Sequence, residues 1–413
     1  MSDVVERFMR YVRVDSQSDP ANESEVPSTT CQFDMARVLA EDLRAIGCTD
    51  VEVSEHAYVT ATLAASEGAE ELPALCLCSH IDSSPDAPGR GVHPHIVHYE
   101  GGPLVAGIVD GEVIETTPEQ LPDLALFEGQ DIVCSDGSTL LSADDKAGVA
   151  EICALLAELV ADPTLAHPTL KIAFVPDEEI GHGAALLDLD KLNARWGYTV
   201  DGEALGEINY ECFSASEATV CVNGVACHPG SAKGVMVNAI TVAMEFQQLI
   251  PAAERPEYTE GREGFYHPIG IEGTASGVTL SYILRDFDSD GLAHREQTLR
   301  DAAAFLNNRY GEECVTVNIR EQYRNMAEAL VGQEFLVKNA VEANLEEGVE
   351  PKVVPARGGT DGAQLTFRGL PCPNLATGGY GAHSVREFVP VGSLERTVRI
   401  LERLVAKFAV EQG

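Results

Sequence analysis

The sequence predicts an α/β protein, built on a mixed, mostly parallel sheet between helices and interrupted by a smaller α+β insert. Three observations predict it. The first half alternates short apolar runs with amphipathic stretches, the strand–helix–strand order of parallel sheets. Near residue 213 the order becomes strand–helix–strand–strand–helix–strand over about 110 residues, the pattern of a ferredoxin-like sandwich. After Asn325 the alternating pattern resumes, so the larger domain is discontinuous. The expected division is 1–213 for the first part of the large domain, 214–326 for the insert and 327–413 for the second part.

Taken in order, residues 2–13 read as an amphipathic helix. A polar loop with Pro20 and Pro27 separates it from a second helix at 29–46. Apolar runs at 49–54, 58–64 and 73–79 read as strands, the last running straight into His80. Residues 84–139 are rich in glycine and proline and read as loops with short strands. A helix is expected at 146–161, immediately after Asp144 and Asp145, and a strand at 169–175 that delivers Glu178 and Glu179. In the insert, SEATVCVNGVA, FYHPIGIEGT, ASGVTLSYILRDF and residues 313–321 read as strands, with VNAITVAMEFQQLI and 290–309 as helices. Helices at 327–343 and 392–410 close the chain, with His383 between them. There is no internal repeat or low-complexity tract.

Composition narrows the function classes. A chain of 413 residues, 45% of them hydrophobic, buries a large core and divides naturally into two domains. Its longest apolar runs, PALCLC and LKIAFV, are strand-length and far below the roughly 20 residues of a membrane span. The N-terminal stretch MSDVVERFMRYVRVDSQSD has mixed charge and no apolar signal core, which leads to the expectation of a cytoplasmic protein. Eleven cysteines without a C-x-x-C pair read as buried free thiols in a reducing compartment. A formal charge of −38 excludes generic nucleic-acid binding, because a phosphate backbone is repelled. The same charge is compatible with a plain acidic surface or with a salt-rich host.

Five clusters carry metal-binding chemistry: His80 and Asp82 in SHIDSSP, Asp144 and Asp145 in LLSADDKAG, Glu178 and Glu179 in FVPDEEIG, Asp201 in YTVDGE, and His383 in GGYGAHSVREF. Each follows an apolar run or sits in a glycine-rich turn, where strand ends converge. A few imidazoles with several carboxylates suit zinc, manganese or cobalt better than the oxygen-only cages of calcium or magnesium. One carboxylate beyond the ligand set is the mark of hydrolysis, since water must lose a proton. In an extended strand His80 and Asp82 project to one side, so His80 reads as a ligand and Asp82 as the partner of its other ring nitrogen. A surface histidine beside a capping aspartate is the plainer reading of that pair. Asp144 could be a simple helix N-cap, but two acids followed by Lys146 and Gly148 exceed what a cap needs. Adjacent glutamates usually belong to a solvated helix; after a buried strand, one can hold metal while the other reaches water. His56, His93, His95, His98, His167 and His294 have no partner pattern and read as surface or loop residues.

These stretches, together with HPGSAKGVMVNA, EGFYHPIGIEGT, YILRDFD and RGGTDGAQLTFRGLPCPN, resemble the peptidase T family, tripeptide aminopeptidases among the co-catalytic dizinc exopeptidases. The resemblance runs in order over nearly the whole chain. It implies two zinc ions per chain, with cobalt or manganese able to substitute, held by His80, Asp144, Glu179, Asp201 and His383, Asp144 bridging. It implies Glu178 as general base, Asp82 as the residue orienting His80, and a cis peptide at Asp144–Asp145. It places Arg357, Gly358, Gly359, Thr360, Arg285 and Asn238 in substrate binding. His228 of the insert would reach across a homodimer, formed through that lid, to polarise the scissile carbonyl; the plainer reading of His228 is a turn residue before Pro229. One departure is visible at Arg386, where relatives often carry a second histidine, and it bears on fine specificity.

The implied reaction is removal of the N-terminal residue of a tripeptide. Glu178 takes a proton from the attacking water and returns it to the leaving amine, and a grip on both substrate ends measures length. The competing readings are a dizinc dipeptidase or N-acyl-amino-acid amidohydrolase of the same fold, a non-haem iron facial triad from His80, Asp82 and His383, and an inactive metal-binding scaffold. The iron triad leaves four carboxylates unexplained and belongs on an antiparallel jelly roll. The inactive scaffold would typically lack the base.

Overall fold

The computed structural model of the chain describes residues 1–22, 24–202 and 204–410. Glu203 of the YTVDGE stretch, and 411–413 at the end of the expected second part of the large domain, lie outside the described residues. The chain folds as two compact units, one comprising 1–210, 329–354 and 360–413, the other 211–328 with 355–359. Where the sequence reading put the insert at 214–326, the second unit thus also takes in the short segment containing Arg357, Gly358 and Gly359.

The first unit is built on an eight-stranded sheet ordered Thr49–Val53, Val59–Leu63, Leu170–Val175, Leu75–His80, Trp196–Val200, Asn374–Leu375, Glu207–Asn209, Lys352–Val353. The three central strands, Leu170–Val175, Leu75–His80 and Trp196–Val200, run parallel. Every residue of Leu75–His80 and of Trp196–Val200 is buried, because both faces of the sheet are covered, and this is why LCLCSH reads as an unbroken run and not as an alternation. Cys76 and Cys78 pack with Ala173, Val175, Leu187 and Leu365 in one such layer. All eleven cysteines are free thiols. The strand Trp196–Val200 and the short helix Asp361–Phe367 were not singled out from the sequence. The 84–139 region resolves into strands His95–Tyr99 and Gln130–Cys134, which join Phe388–Pro390 in a three-stranded sheet, and a hairpin of Leu104–Val109 with Glu112–Thr116.

The helical stretch Ala143–Ala161 is broken near its start, where Asp144 (φ −79, ψ 103) and Asp145 (φ −122, ψ 32) are non-helical and joined by a cis peptide, so the regular helix starts at Lys146. Its first turn lies against the end of Trp196–Val200. A Cβ at Gly148 would collide with the Val200 carbonyl and the Asp145 carboxylate, so glycine sets this approach. The helix expected at 327–343 instead occupies Glu334–Glu346, after a single turn at Met326–Glu328. Gly332 at φ +85 cannot sit inside a right-handed helix, and it splits the expected element.

The second unit follows the order strand Ser214–Asn223, helix Ala239–Leu249, strands Phe265–Thr274 and Gly277–Asp286, helix Ser289–Tyr310 and strand Val315–Tyr323. Its sheet is wholly antiparallel, ordered second–third–first–fourth, the split arrangement of a ferredoxin-like fold. Along Ser214–Asn223, Ala218, Val220 and Val222 are buried every second residue and pack under Val242, Phe246, Leu299 and Leu306 of the two helices. The edge strand Phe265–Thr274 is exposed from Ile269 onward.

Candidate metal centre

The parallel strands bring the expected residues to one end of the sheet. His80 is the last residue of its strand, Glu178 and Glu179 follow Leu170–Val175 in a single helical turn, and Asp201 follows Trp196–Val200. Asp144 arrives from the helix entrance, and His383 from a loop, at φ +62. This is the carboxyl edge of an α/β sheet, where strand ends diverge and leave room for chemistry.

The two imidazoles meet on Asp144. His80 Nε2 lies 2.9 Å from Asp144 Oδ1, while His383 Nε2 lies 3.4 Å from Asp144 Oδ2. Asp201 flanks the first pair, its Oδ1 3.9 Å from His80 Nε2, and Glu179 flanks the second, its Oε2 2.9 Å from His383 Nε2. One carboxylate therefore faces an imidazole with each of its oxygens, and each imidazole has one further acid beside its Nε2. Ligand atoms of His80, Asp144 and Glu179 lie within 4.8 Å of one another, as do those of His80, Asp145 and Asp201. Asp145 is otherwise engaged: its carboxylate accepts from Ser79 Oγ, from His80 N at 3.1 Å and from Gly148 N at 3.3 Å, which fixes the strand end and the helix entrance together.

Electrostatics test whether a metal fits. Burial and the neighbouring Asp144 push the Glu179 carboxyl up to about 7 and that of Asp201 up to about 8. Glu178 is pushed well above the carboxylate range by burial, opposed by His80 and reinforced by Asp361, Asp201 and Glu179. His383, beside Asp144 and Glu179, is raised to about 12. Burial opposes charge on His80, yet Asp144 and Asp82 outweigh it and raise its pKa well above the ordinary value. Protons thus do the neutralising that cations would do, and among the described residues the buried Glu179 Oε1 has no hydrogen-bond partner. An orphaned carboxylate oxygen within a converging set of imidazoles and acids suits divalent cations with mixed nitrogen and oxygen ligands.

Asp82 does more than the sequence reading gave it. His80 Nδ1 lies 3.1 Å from its carbonyl and 3.3 Å from Oδ1, but the carboxylate also accepts from Glu178 N at 3.0 Å and Glu179 N at 3.2 Å. It ties the His80 strand end to the turn of the two glutamates. Other supports were missed. Asp177, buried and at φ +56, accepts from Ser28 N, Ser28 Oγ and Gln32 Nε2, all at 2.6 Å, and so holds that turn from behind. Glu387 accepts from Ser142 N at 2.7 Å and Asp144 N at 2.9 Å. Buried Lys146 donates to Val14 O at 2.7 Å. Only contacts across more than a hundred residues separate these acids from ordinary surface ones, and no local pattern carries that information. Arg386 donates to Glu115 O at 3.0 Å. Of the histidines read as surface or loop residues, His167 is buried, with Nδ1 2.9 Å from Pro168 O, while His95 and His98 lie on a strand and His294 on a helix.

Thr360 lies in the first unit and caps the helix Asp361–Phe367 by accepting from Ala363 N at 3.2 Å. The remaining expected residues belong to the second unit. Asn238 caps Ala239–Leu249 through Ile240 N at 3.0 Å. Exposed His228 accepts from Gly230 N at Nδ1, 3.1 Å away, so the neutral ring carries its proton on Nε2. Arg285 stacks on Tyr323 and donates to Leu284 O at 3.0 Å. Arg357 lies over Phe213 and Phe265 and donates to Gly261 O at 2.7 Å and Glu263 O at 3.2 Å. Gly359 leaves a Cβ only 3.0 Å from the Tyr323 ring, while Gly358 is open.

Known proteins resemble the chain throughout its length. The sequence profile of peptidase family M20/M25/M40 matches residues 142–407. Peptidase T of Vibrio cholerae is 44% identical over 411 residues, covering 99% of each chain, and peptidase T of Geobacillus thermodenitrificans is 42% identical over 407 residues, covering 98% of each. Among solved structures, the aminopeptidase PepT from Bacillus cereus superposes with a TM-score of 0.77 at 22% identity, covering 99% of this chain and 98% of that one. A tripeptidase from Staphylococcus aureus superposes at 0.76 and 21% identity, covering 98% of each. With identity this high over full length, the chain belongs to peptidase family M20/M25/M40, among its peptidase T members, and is a hydrolase of peptide bonds.

Proposed function

We propose that the protein is a dinuclear metallo-aminopeptidase that releases the N-terminal residue of tripeptides in the cytoplasm. The observation that carries the dinuclear reading is the carboxylate of Asp144, with one imidazole at each oxygen. His80 and Asp201 would hold one ion, His383 and Glu179 the other, and Asp144 both. The donor set favours zinc, with cobalt or manganese as substitutes. When bound, the ions supply Lewis acidity that activates water and polarises the scissile carbonyl.

Glu178 is the general base in this reading. Asp82 fixes its backbone N–H, and burial, with the crowding acids, keeps its proton affinity high. It takes the proton of the attacking water and passes it to the leaving amine. His228, from the partner subunit of a homodimer, would donate its Nε2–H to the developing oxyanion; the Gly230 N–H at Nδ1 supports the tautomer that this requires. The dimer would form through the second unit, where Met244, Ile269 and Ile271 are exposed on a helix and an edge strand. Arg285 and Arg357, with Asn238, Gly358, Gly359 and Thr360, would receive the peptide. Among the described residues neither arginine is paired with a carboxylate, although acids outnumber bases 66 to 28, so both charges remain available to a C-terminal carboxylate. No described helix is long and apolar enough to cross a membrane, and the acidic surface repels nucleic acid.

A panel of tripeptides, dipeptides, tetrapeptides and N-acyl amino acids, assayed with and without chelator, tests the reading. Chelator-sensitive release of the first residue from tripeptides is expected. Preference for dipeptides or acyl amino acids would favour the dipeptidase or amidohydrolase alternative. Metal analysis should give two equivalents per chain, and full activity with one tightly bound ion would overturn the dinuclear site.

A further inference from the structure

The segment that follows His80 serves the other imidazole as well. Four residues beyond Asp82, the Asp86 Oδ2 lies 2.8 Å from His383 Nδ1. An ionised carboxylate offers only acceptors, so Nδ1 holds a ring proton, and in the neutral ring that a metal requires the lone pair is on Nε2 and points the opposite way. On that side lie Glu179 Oε2 and Asp144 Oδ2. His383 needs such a tether more than His80 does, because it is on a loop and its side chain is 44% exposed.

Asp86 is itself held in place. Gln17 Nε2 donates to Ser84 O and to Ala87 O, both at 2.7 Å, bracketing the turn in which Asp86 sits. Gln17 is fixed in turn where residues 16–18 run beside Ser83: Ser83 N donates to Ser16 O and Ser18 N to Ser83 O, each at 3.2 Å. The N-terminal segment thus clamps the stretch from Ile81 to Ala87 that carries both Asp82 and Asp86.

We propose that Asp86 is a positioning residue for His383, making a second carboxylate–imidazole pair that fixes this ring's tautomer and aim as Asp82 does for His80. The inference rests on the reading of His383 as a metal ligand. Removing such a partner costs about 10–100-fold in metal affinity. The test is cobalt(II) titration of the chelator-stripped full-length protein, read by visible absorption and by competition with a chromophoric chelator. Wild type, Asp86→Ala, Asp86→Asn and His383→Ala are compared, with the unfolding temperature of each metal-free protein as the control for folding.

Asp86→Ala should weaken one of two cobalt sites about 10–100-fold, the same site that His383→Ala removes, with the other site and the metal-free unfolding temperature unchanged. Asp86→Asn, which keeps an acceptor without the charge, should fall between Asp86→Ala and wild type. If His383→Ala removes a site and Asp86→Ala leaves both affinities within about twofold of wild type, well short of the expected loss, Asp86 has no such role. If His383→Ala leaves both sites intact, the ligand reading of His383 fails instead, and the proposal falls with it.

Discussion

His80 ends a wholly buried central strand, with a side chain 1% exposed, whereas His383 sits on a loop at φ +62 with a side chain 44% exposed. Backbone pairing on both sides fixes the strand of His80, with Leu170–Val175 as far as His80 itself and with Trp196–Val200 as far as Cys78. Side chains fix His383: Asp86 at its Nδ1, and Glu387 four residues on, which grips the backbone at Ser142 and Asp144. One half of the proposed centre is thus built by the sheet, the other assembled by contacts between distant segments. Preorganisation by sheet is robust to single substitutions; preorganisation by side chains depends on each one.

The largest expected effect tests whether Glu178 belongs to either half. Glu178→Gln should lower kcat on a tripeptide about 10²–10⁴-fold while two metal equivalents stay bound, whereas Glu179→Gln should lose metal from the His383 half. Loss of an equivalent in Glu178→Gln would make it a ligand and redraw the division.

A third imidazole extends the comparison, because His228 is exposed like His383 but has its tautomer set by a backbone N–H. His228→Ala should lower kcat about 10²–10³-fold with less effect on KM, in a normal dimer with both metals. Mixing it with Glu178→Gln under subunit exchange should restore about one working site per heterodimer, since one site then carries neither lesion. No recovery in verified heterodimers would place His228 in its own chain's site.

The two halves should also differ in what they contribute to folding. In chelator-stripped protein, His80→Ala should cost about 2–3 kcal/mol, since it leaves a buried void and strips partners from Asp82 and Asp144. His383→Ala should cost at most about 1 kcal/mol. Equal costs in denaturant unfolding would erase the distinction between the two halves.

The smallest effect separates scaffold from site. Glu151 lies in the second turn of the helix that begins at Lys146, is fully buried, and among the described residues has no hydrogen-bond partner within bonding geometry at either oxygen. Burial pushes its carboxyl well above the ordinary range, with the Thr397 hydroxyl a lesser opposing influence. The folded state therefore keeps a proton that the unfolded state releases above its ordinary pKa. Stability contributed by this group is full below that pKa and falls as pH rises toward the folded value, by up to about 1.4 kcal/mol per pH unit. Glu151→Gln should flatten the loss of stability between about pH 5 and 8; identical pH slopes would show that Glu151 ionises freely in the fold.

The proposed ligands were legible because each stands at a place local sequence can mark. His80 ends an apolar run, Glu178 and Glu179 follow one, and two acids precede a helix. The order of elements in the second unit was legible for the same reason, since its two periodicities alternate clearly. The helix expected at 327–343 was misplaced because a single left-handed glycine outweighs the apolar pattern around it. The resemblance marks Arg357 as a substrate residue, while its packing on Phe213 and Phe265 of the second unit is visible only in the fold.

By itself, then, the sequence determined which side chains are candidates for the chemistry, the type of most major elements and the α/β class, because burial periodicity and strand-end position are local properties. Tertiary structure alone decided that Asp144 offers one oxygen to each imidazole, that Asp82 grips the backbone of both glutamates, and that Asp86, Asp177 and Glu387 hold the loops. Each of these pairs residues 64 to 297 positions apart. Hydrogen bonds over such separations depend on the path of the whole chain, and no window of sequence contains it.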